Sequence, residues 1–248
     1  MLPLATLVKV GKMPGKELSG ASIVFNGSFN PASLNPTWLA DQNLITQESA
    51  EYALSPDNPK PLTIIPQLTA FSTDWLSAQI NPAQAIIFTD DEAREVELRD
   101  FGVGLLSLLP ETPVDAMGIN FNAHFRIESE EKWHAIGDRF LPKAPWEGVF
   151  PEGPWRVRDG GFRVGLRTVT AEVNRDESGP PGAVRMEVAP SLVIEPLGLF
   201  CAVNCHFELP RVAGKRANAL DFSEILEREW PLAKSMSFEM MESVRGGE

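Results

Sequence analysis

Ile119-Asn-Phe-Asn-Ala-His-Phe-Arg-Ile127 alternates without a break. Ile119, Phe121, Ala123, Phe125 and Ile127 fall on one side, and Asn120, Asn122, His124 and Arg126 on the other. Successive side chains of a strand point to opposite faces, so this predicts a strand with one core face and one polar face. Cys201-Ala-Val-Asn-Cys-His-Phe-Glu-Leu209 repeats the pattern: Cys201, Val203, Cys205, Phe207 and Leu209 oppose Asn204, His206 and Glu208. Such strands belong to an antiparallel sheet covered on one side, whereas strands buried on both faces read as near-continuous apolar runs.

The elements around these strands agree. Ser22–Phe29 is predicted as a strand ending at Asn30-Pro31, and Asn35-Pro36 as the N-cap and first residue of a short helix. Residues 55–61, with Pro56, Pro59 and Pro61, form a loop, and Leu62–Phe71 and Trp75–Phe88 an antiparallel pair of strands. Thr89-Asp-Asp-Glu92 reads as a capping box for a helix with Leu98, Phe101, Leu105 and Leu108 inside and a Glu95–Arg99 pair outside. Ser129 caps a helix with Trp133, Ile136 and Phe140 on its buried stripe. Phe162–Val173, Ala183–Val188 and Gly198–Leu209 are three further strands, and a last helix runs from Asp221–Ser223 to about Val244, kinked at Pro231. Strands and helices do not alternate strictly. The expected class is α+β: a largely antiparallel sheet with helices packed on one face.

The two alternating strands align without gaps and share Asn-x-His-Phe, at Asn122, His124 and Phe125 and at Asn204, His206 and Phe207. Each precedes a helix carrying tryptophan, Trp133 or Trp230. One reading is two pseudo-repeated halves, 21–145 and 155–248, with these strands equivalent; the other is chance similarity within a single domain over 21–248. Residues 1–20, with Lys9, Lys12 and Lys16, read as a partly mobile lead-in.

Bulk composition narrows function. The 248 residues carry 22 basic and 34 acidic side chains, a net charge of −12. That disfavours a protein built to grip nucleic-acid phosphates, which needs clustered Lys and Arg. No apolar run reaches the roughly 18 residues of a membrane span, and the start lacks a secretory h-region. Cys201 and Cys205 on one strand would stand about 13 Å apart, beyond disulfide reach. The expected setting is a reducing cytoplasm, with both cysteines as core thiols.

Catalytic signatures are missing. Ile23-Val-Phe-Asn-Gly-Ser-Phe-Asn-Pro31 is similar to the strand-turn of nucleotidyltransferases. Their following His-x-x-His pair is absent, however: Ala32-Ser-Leu-Asn-Pro-Thr37 stands there. No nucleophile elbow, phosphate loop or dinucleotide fingerprint is present. No catalytic residue, metal site or cofactor is therefore expected.

Two function classes follow. The first is a non-enzymatic protein-interaction or assembly subunit, working with a protein partner or as a homo-oligomer. Its candidate interface anchors are Trp146, Trp155, Trp230, Met236 and Met240, large apolar side chains in a Pro-rich segment and on the last helix. The alternative is a small-ligand binder or enzyme using the polar strand faces, with His124, His206, Arg126, Glu208, Asn122 and Asn204 as the set. An imidazole near a carboxylate can move protons or hold a metal.

From Trp75 to Ile127 the chain resembles an uncharacterised, sporadically distributed bacterial family of about this length. The matching pattern is strand, Asp-rich turn, amphipathic helix, then Pro113-Val114 leading into Met117-Gly118-Ile119-Asn120. Phe25-Asn-Gly-Ser-Phe-Asn-Pro31 and Trp146-Glu-Gly148 look like a subgroup of it. The resemblance carries over no catalytic residue, and patchy distribution implies a defence-linked or mobile-element context.

Overall fold

A computed structural model of the chain describes residues 15–146, 166–176, 179–210 and 216–246, with the side chain of Trp146 excepted. Within them nine strands form one antiparallel sheet: β1 (Lys16–Gly27), β2 (Thr63–Ile65), β3 (Leu68–Ser72), β4 (Ser77–Asn81), β5 (Gln84–Thr89), β6 (Val114–Arg126), β7 (Val169–Asn174), β8 (Gly182–Pro190) and β9 (Gly198–Glu208). Their order across the sheet is β2-β3-β4-β5-β1-β6-β9-β8-β7. Five helices accompany them: α1 (Pro36–Asp41), α2 (Gln47–Leu54), α3 (Glu95–Leu108), α4 (Glu130–Phe140) and α5 (Ala219–Arg245). The class is α+β, with an antiparallel sheet, as expected.

The centre of the sheet is the long β1–β6 pair, in which Ile23 faces Ile119 and Ala21 faces Phe121. On either flank the strand that follows the other strands in sequence returns to the centre, β5 beside β1 and β9 beside β6. α3 packs across β1 and β5, and α5 across β6 and β9. One face of these strands supplies the core: Ile23, Phe25, Ile87, Phe121, Phe125, Cys201 and Phe207 are all essentially inaccessible. Trp230 of α5 meets Phe121 edge-on with ring centroids 5.1 Å apart. α1, α2 and α4 add Leu39, Ala50 and Ile136 to the same apolar cluster.

Capping explains the helix starts. Asn35 Oδ1 accepts from Trp38 N, Ser129 Oγ from Lys132 N, and Asn218 with Asp221 forms a reciprocal capping box at α5. Pro231 lies inside α5, which is a single helix across it.

Several expectations need correction. The segments 62–71 and 75–88 are not two strands but two hairpins, β2–β3 and β4–β5. Pro66-Gln67 and Pro82-Ala83 form their two-residue connections, since Pro sets φ for a turn and cannot donate to a ladder. Thr89 does not cap α3: it ends β5, its hydroxyl donates to Trp75 O, and Asp91 caps a short 3-10 turn before Glu95. Nor is Glu95 outside with Arg99. It is 1% exposed and pairs with Lys234 of α5 at 2.5 Å, while Arg99 binds Asp100. Leu108 and Phe140 are partly exposed, and Leu106 takes the inward position instead. Residues 16–20 belong to β1 and not to a lead-in.

The Asn-x-His-Phe strands are not equivalents in two halves. They are β6 and β9, direct antiparallel neighbours, of which β6 opens its flank and β9 closes it.

Candidate functional site

With the apolar face of the sheet under the helices, the other face is the surface on which the polar strand residues gather. Its rows can be followed through the register. Ser72, Ser77, Phe88, Ser22, Asn120, Asn204, Arg185 and Glu172 form one row across eight strands. The next holds Ala70, Gln79, Ile86, Val24, Gly118, His206, Ala183 and Asn174, and a third Gly20, Asn122, Ala202, Glu187 and Thr170.

Hydrogen bonds tie neighbouring strands together on this face. Asn204 Nδ2 donates to Asn120 Oδ1 at 2.5 Å, Asn120 Nδ2 to Ser22 O at 3.3 Å, and Gln84 Nε2 to Asn26 Oδ1 at 2.9 Å. Ser72 Oγ and Ser77 Oγ stand 2.7 Å apart, with Lys60 Nζ at 3.5 Å from the latter. Gly118 makes the central ladder possible: a Cβ there would lie 2.8 Å from Asn204 Nδ2.

The six residues of the ligand-binding set do lie on this face, but they do not meet. His124 stands opposite Phe200, and His206 opposite Gly118. The imidazoles are thus six positions apart along the pair, roughly 20 Å at about 3.3 Å per residue. The register pairs Asn120 with Asn204, and stepping from that pair to His124 and to His206 runs in opposite directions along antiparallel strands.

Each histidine has its own local partner. His124 Nδ1 and Ser191 Oγ are 2.9 Å apart, the ring lies 4.8 Å from that of Phe200, and burial pushes its pKa down. His206 Nε2 contacts Glu208 Oε1 at 2.9 Å on the exposed strand end. Arg126 is occupied by Glu17, Nε to Oε1 at 2.5 Å. Asn204 serves the ladder, and Asn122 lies beside the space that Gly20 leaves open. No group of three or more His, Cys, Asp or Glu among the described residues is placed to hold a metal ion. Cys201 and Cys205 are free and buried on the core face of β9, and burial raises their pKa values to about 12 and about 11.

The proposed interface anchors fare similarly. Trp230 is 2% exposed and belongs to the core, so it offers no surface. Met236 and Met240 are half-buried against that core. Trp155 lies outside the described residues, and Trp146 is described only as backbone, in the turn Ala144–Trp146.

The exposed apolar side chains lie elsewhere. Leu192 and Val193, 90% and 61% exposed, sit in the β8–β9 connection, whose Ser191 hydroxyl accepts from Val193 N and Ile194 N. Leu18 and Phe88 project from β1 and β5. Val193, Leu18 and Phe88 line one open groove of about 770 Å³, floored by Gly20, Ser22 and Asn122. Sequence reasoning missed this groove because its walls come from three distant segments. A usable signal was the small-polar character of Gly20 and Ser22, next to Leu18 on the same strand face.

No helix among the described residues is long and apolar enough to cross a membrane. No model of a known protein family matches the chain, and a search of curated proteins finds no match either.

Proposed function

We propose that the protein is a non-enzymatic interaction or assembly subunit that presents the open face of its sheet to a protein partner. One observation carries the reading. Across β4, β5, β1, β6 and β9 the rows from Ser77 to Asn204 and from Gln79 to His206 contain no Lys, Arg, Asp or Glu. Strand charges stand at the margins, in Arg126 with Glu17, Glu208, Arg185, Glu187 and Glu172, and Lys60 reaches Ser77 and Phe88 from the loop before β2. A solvated sheet face with no function ordinarily carries charges throughout, whereas protein interfaces are depleted of them at the centre and polar at the rim. The resemblance to a sporadically distributed bacterial family supports placing such an assembly in a defence or mobile-element system.

The test is a tagged pull-down combined with native mass measurement, on the wild type and on Asn204→Arg. The substitution puts a charge into the middle of the face while leaving the core side of β9 untouched. A stoichiometric partner or defined oligomer in the wild type, lost in the variant, is the expected result. A wild-type monomer without a partner, or a complex indifferent to Asn204→Arg, would overturn the reading.

A further inference from the structure

Resting on that interaction reading, we infer that the groove beside β1 and β5 docks a cationic, apolar peptide segment of the partner protein. The groove has two chemical characters. Leu18 (52% exposed) and Val193 (61%) present apolar surface that the chain itself leaves in water, and Phe88 (38%) does so beside the Lys60 ammonium that stands over its ring. The turn between β5 and α3 adds Asp90, Asp91 and Glu92 along one wall, and Glu17 lies at the end of the floor.

The charges do not cancel. Four acidic residues line the groove and no Lys or Arg does; Lys60, whose Nζ stands 5.7 Å from the centroid of the Phe88 ring, is the cation beside it. Glu17 is taken by Arg126 at 2.5 Å and Glu92 by Lys16 at 2.6 Å. Asp91 Oδ1 accepts from Ala93 N, and the side chain is exposed. Asp90 is exposed, with no ion pair to any described residue. His124, on the opposite side, is held by Ser191 with its pKa pushed down by burial, so it brings no positive charge at neutral pH.

The complement of such a surface is a Lys or Arg next to Leu-, Val- or Phe-like side chains. The cation faces Asp90 and Asp91, and the apolar group enters between Phe88 and Val193. Gly20 and Ser22 keep the floor low enough for an extended backbone to lie on it, with Asn122 available to hydrogen-bond to it. Surface charge governs encounter and orientation, and the apolar contacts govern residence.

Fluorescence anisotropy with the labelled octapeptide (Lys-Leu)4 tests this on the full chain, with (Glu-Leu)4 as the reversed-charge probe. The expected result is binding of the first and not the second. Phe88→Ser and Asp90→Lys should each raise Kd at least tenfold. Glu224→Lys, an equal charge change at an exposed position of α5 away from the groove, should leave Kd within a factor of two.

Equal weakening by Glu224→Lys would mean non-specific attraction to an acidic protein, and would overturn the inference. So would no binding, or equal binding of both peptides. A dimer in native mass that Phe88→Ser dissolves would assign the groove to a second copy and also overturn it. If the peptide fails but the pull-down partner is still lost in Asn204→Arg, the groove inference falls and the interaction reading stands. If both experiments fail, both readings fall.

Discussion

Lys234→Met should be among the most destabilising single substitutions on α5, and its cost should depend on pH. The Glu95 carboxylate is 1% exposed, and its oxygens have no hydrogen-bond donor among the described residues besides the Lys234 ammonium 2.5 Å from Oε2. Removing one partner of such a pair leaves an uncompensated buried charge, at about 3–5 kcal/mol. The Lys234 side chain is 28% exposed, so water screens the pair somewhat and the lower end, about 3 kcal/mol, applies at pH 7.5. For a chain of this size that corresponds to a fall of roughly 6–12 °C in Tm.

Glu95→Gln is different. It keeps the shape and removes the buried charge, and the Lys234 head can turn toward solvent, so about 0–1 kcal/mol is expected. The double variant should resemble Glu95→Gln. Burial pushes the Glu95 carboxyl above its ordinary 4.5, and Lys234 opposes that shift. Within the window from 4.5 up to the raised folded value, the folded state binds the extra proton, so stability declines as pH rises. Without Lys234 that window widens upward, and the deficit of Lys234→Met should grow from pH 5 to pH 7.5. Urea denaturation of all four proteins at both pH values measures it, from midpoints at constant m. A Lys234→Met loss below about 1 kcal/mol at pH 7.5, or one of equal size at both pH values, would refute the account.

Three other outcomes follow from the packing. Cys201 and Cys205, with pKa values raised to about 12 and about 11, should resist a thiol reagent at pH 8 in the folded protein and react fully in denaturant. Because their ordinary value is 9.0, they should also make the fold lose stability as pH rises above about 9, which alkaline denaturation curves will show. Gly182→Ala should cost several kcal/mol, measurable as a drop in urea midpoint, because its Cβ would lie 1.9 Å from the His206 carbonyl oxygen, a backbone atom that cannot step aside.

Much of the architecture was legible in local pattern. The alternation in 119–127 and 201–209, the Asn35-Pro36 helix start and the Ser129 cap each depend on residues within a few positions of one another. The misreadings have two sources. Pro66 stands between Ile65 and Gln67-Leu68 with no Gly or Asn-Gly to mark a turn, and the Asn81-Pro82 turn signal lies inside a run long enough to read as one strand. Glu95 fits an i,i+4 surface pair with Arg99, yet at helical spacing it shares a stripe with Leu98 and Gly102. What decides between these is Lys234, far along the chain. The same holds for the candidate site. The polar faces of β6 and β9 could be read directly, but the relation between His124 and His206 is a matter of strand direction and register, which no local pattern contains.

The place of β1 at the middle of the sheet has a consequence for biosynthesis. Among the strands of the described residues β1 leaves the ribosome first, and β5 can pair with it once residues 84–89 follow. Its other edge waits for β6, about a hundred residues behind β1, or roughly 5–20 s at ordinary translation rates. Until β5 arrives, a twelve-residue strand carrying Ile23 and Phe25 has both rows of amides and carbonyls open, and from then until β6 it has one. Such an edge recruits other strands as readily as its own partner. A nascent chain stalled between α3 and β6 is therefore the form of this protein most exposed to capture by its own copies, and arrival of β6 closes that hazard from within.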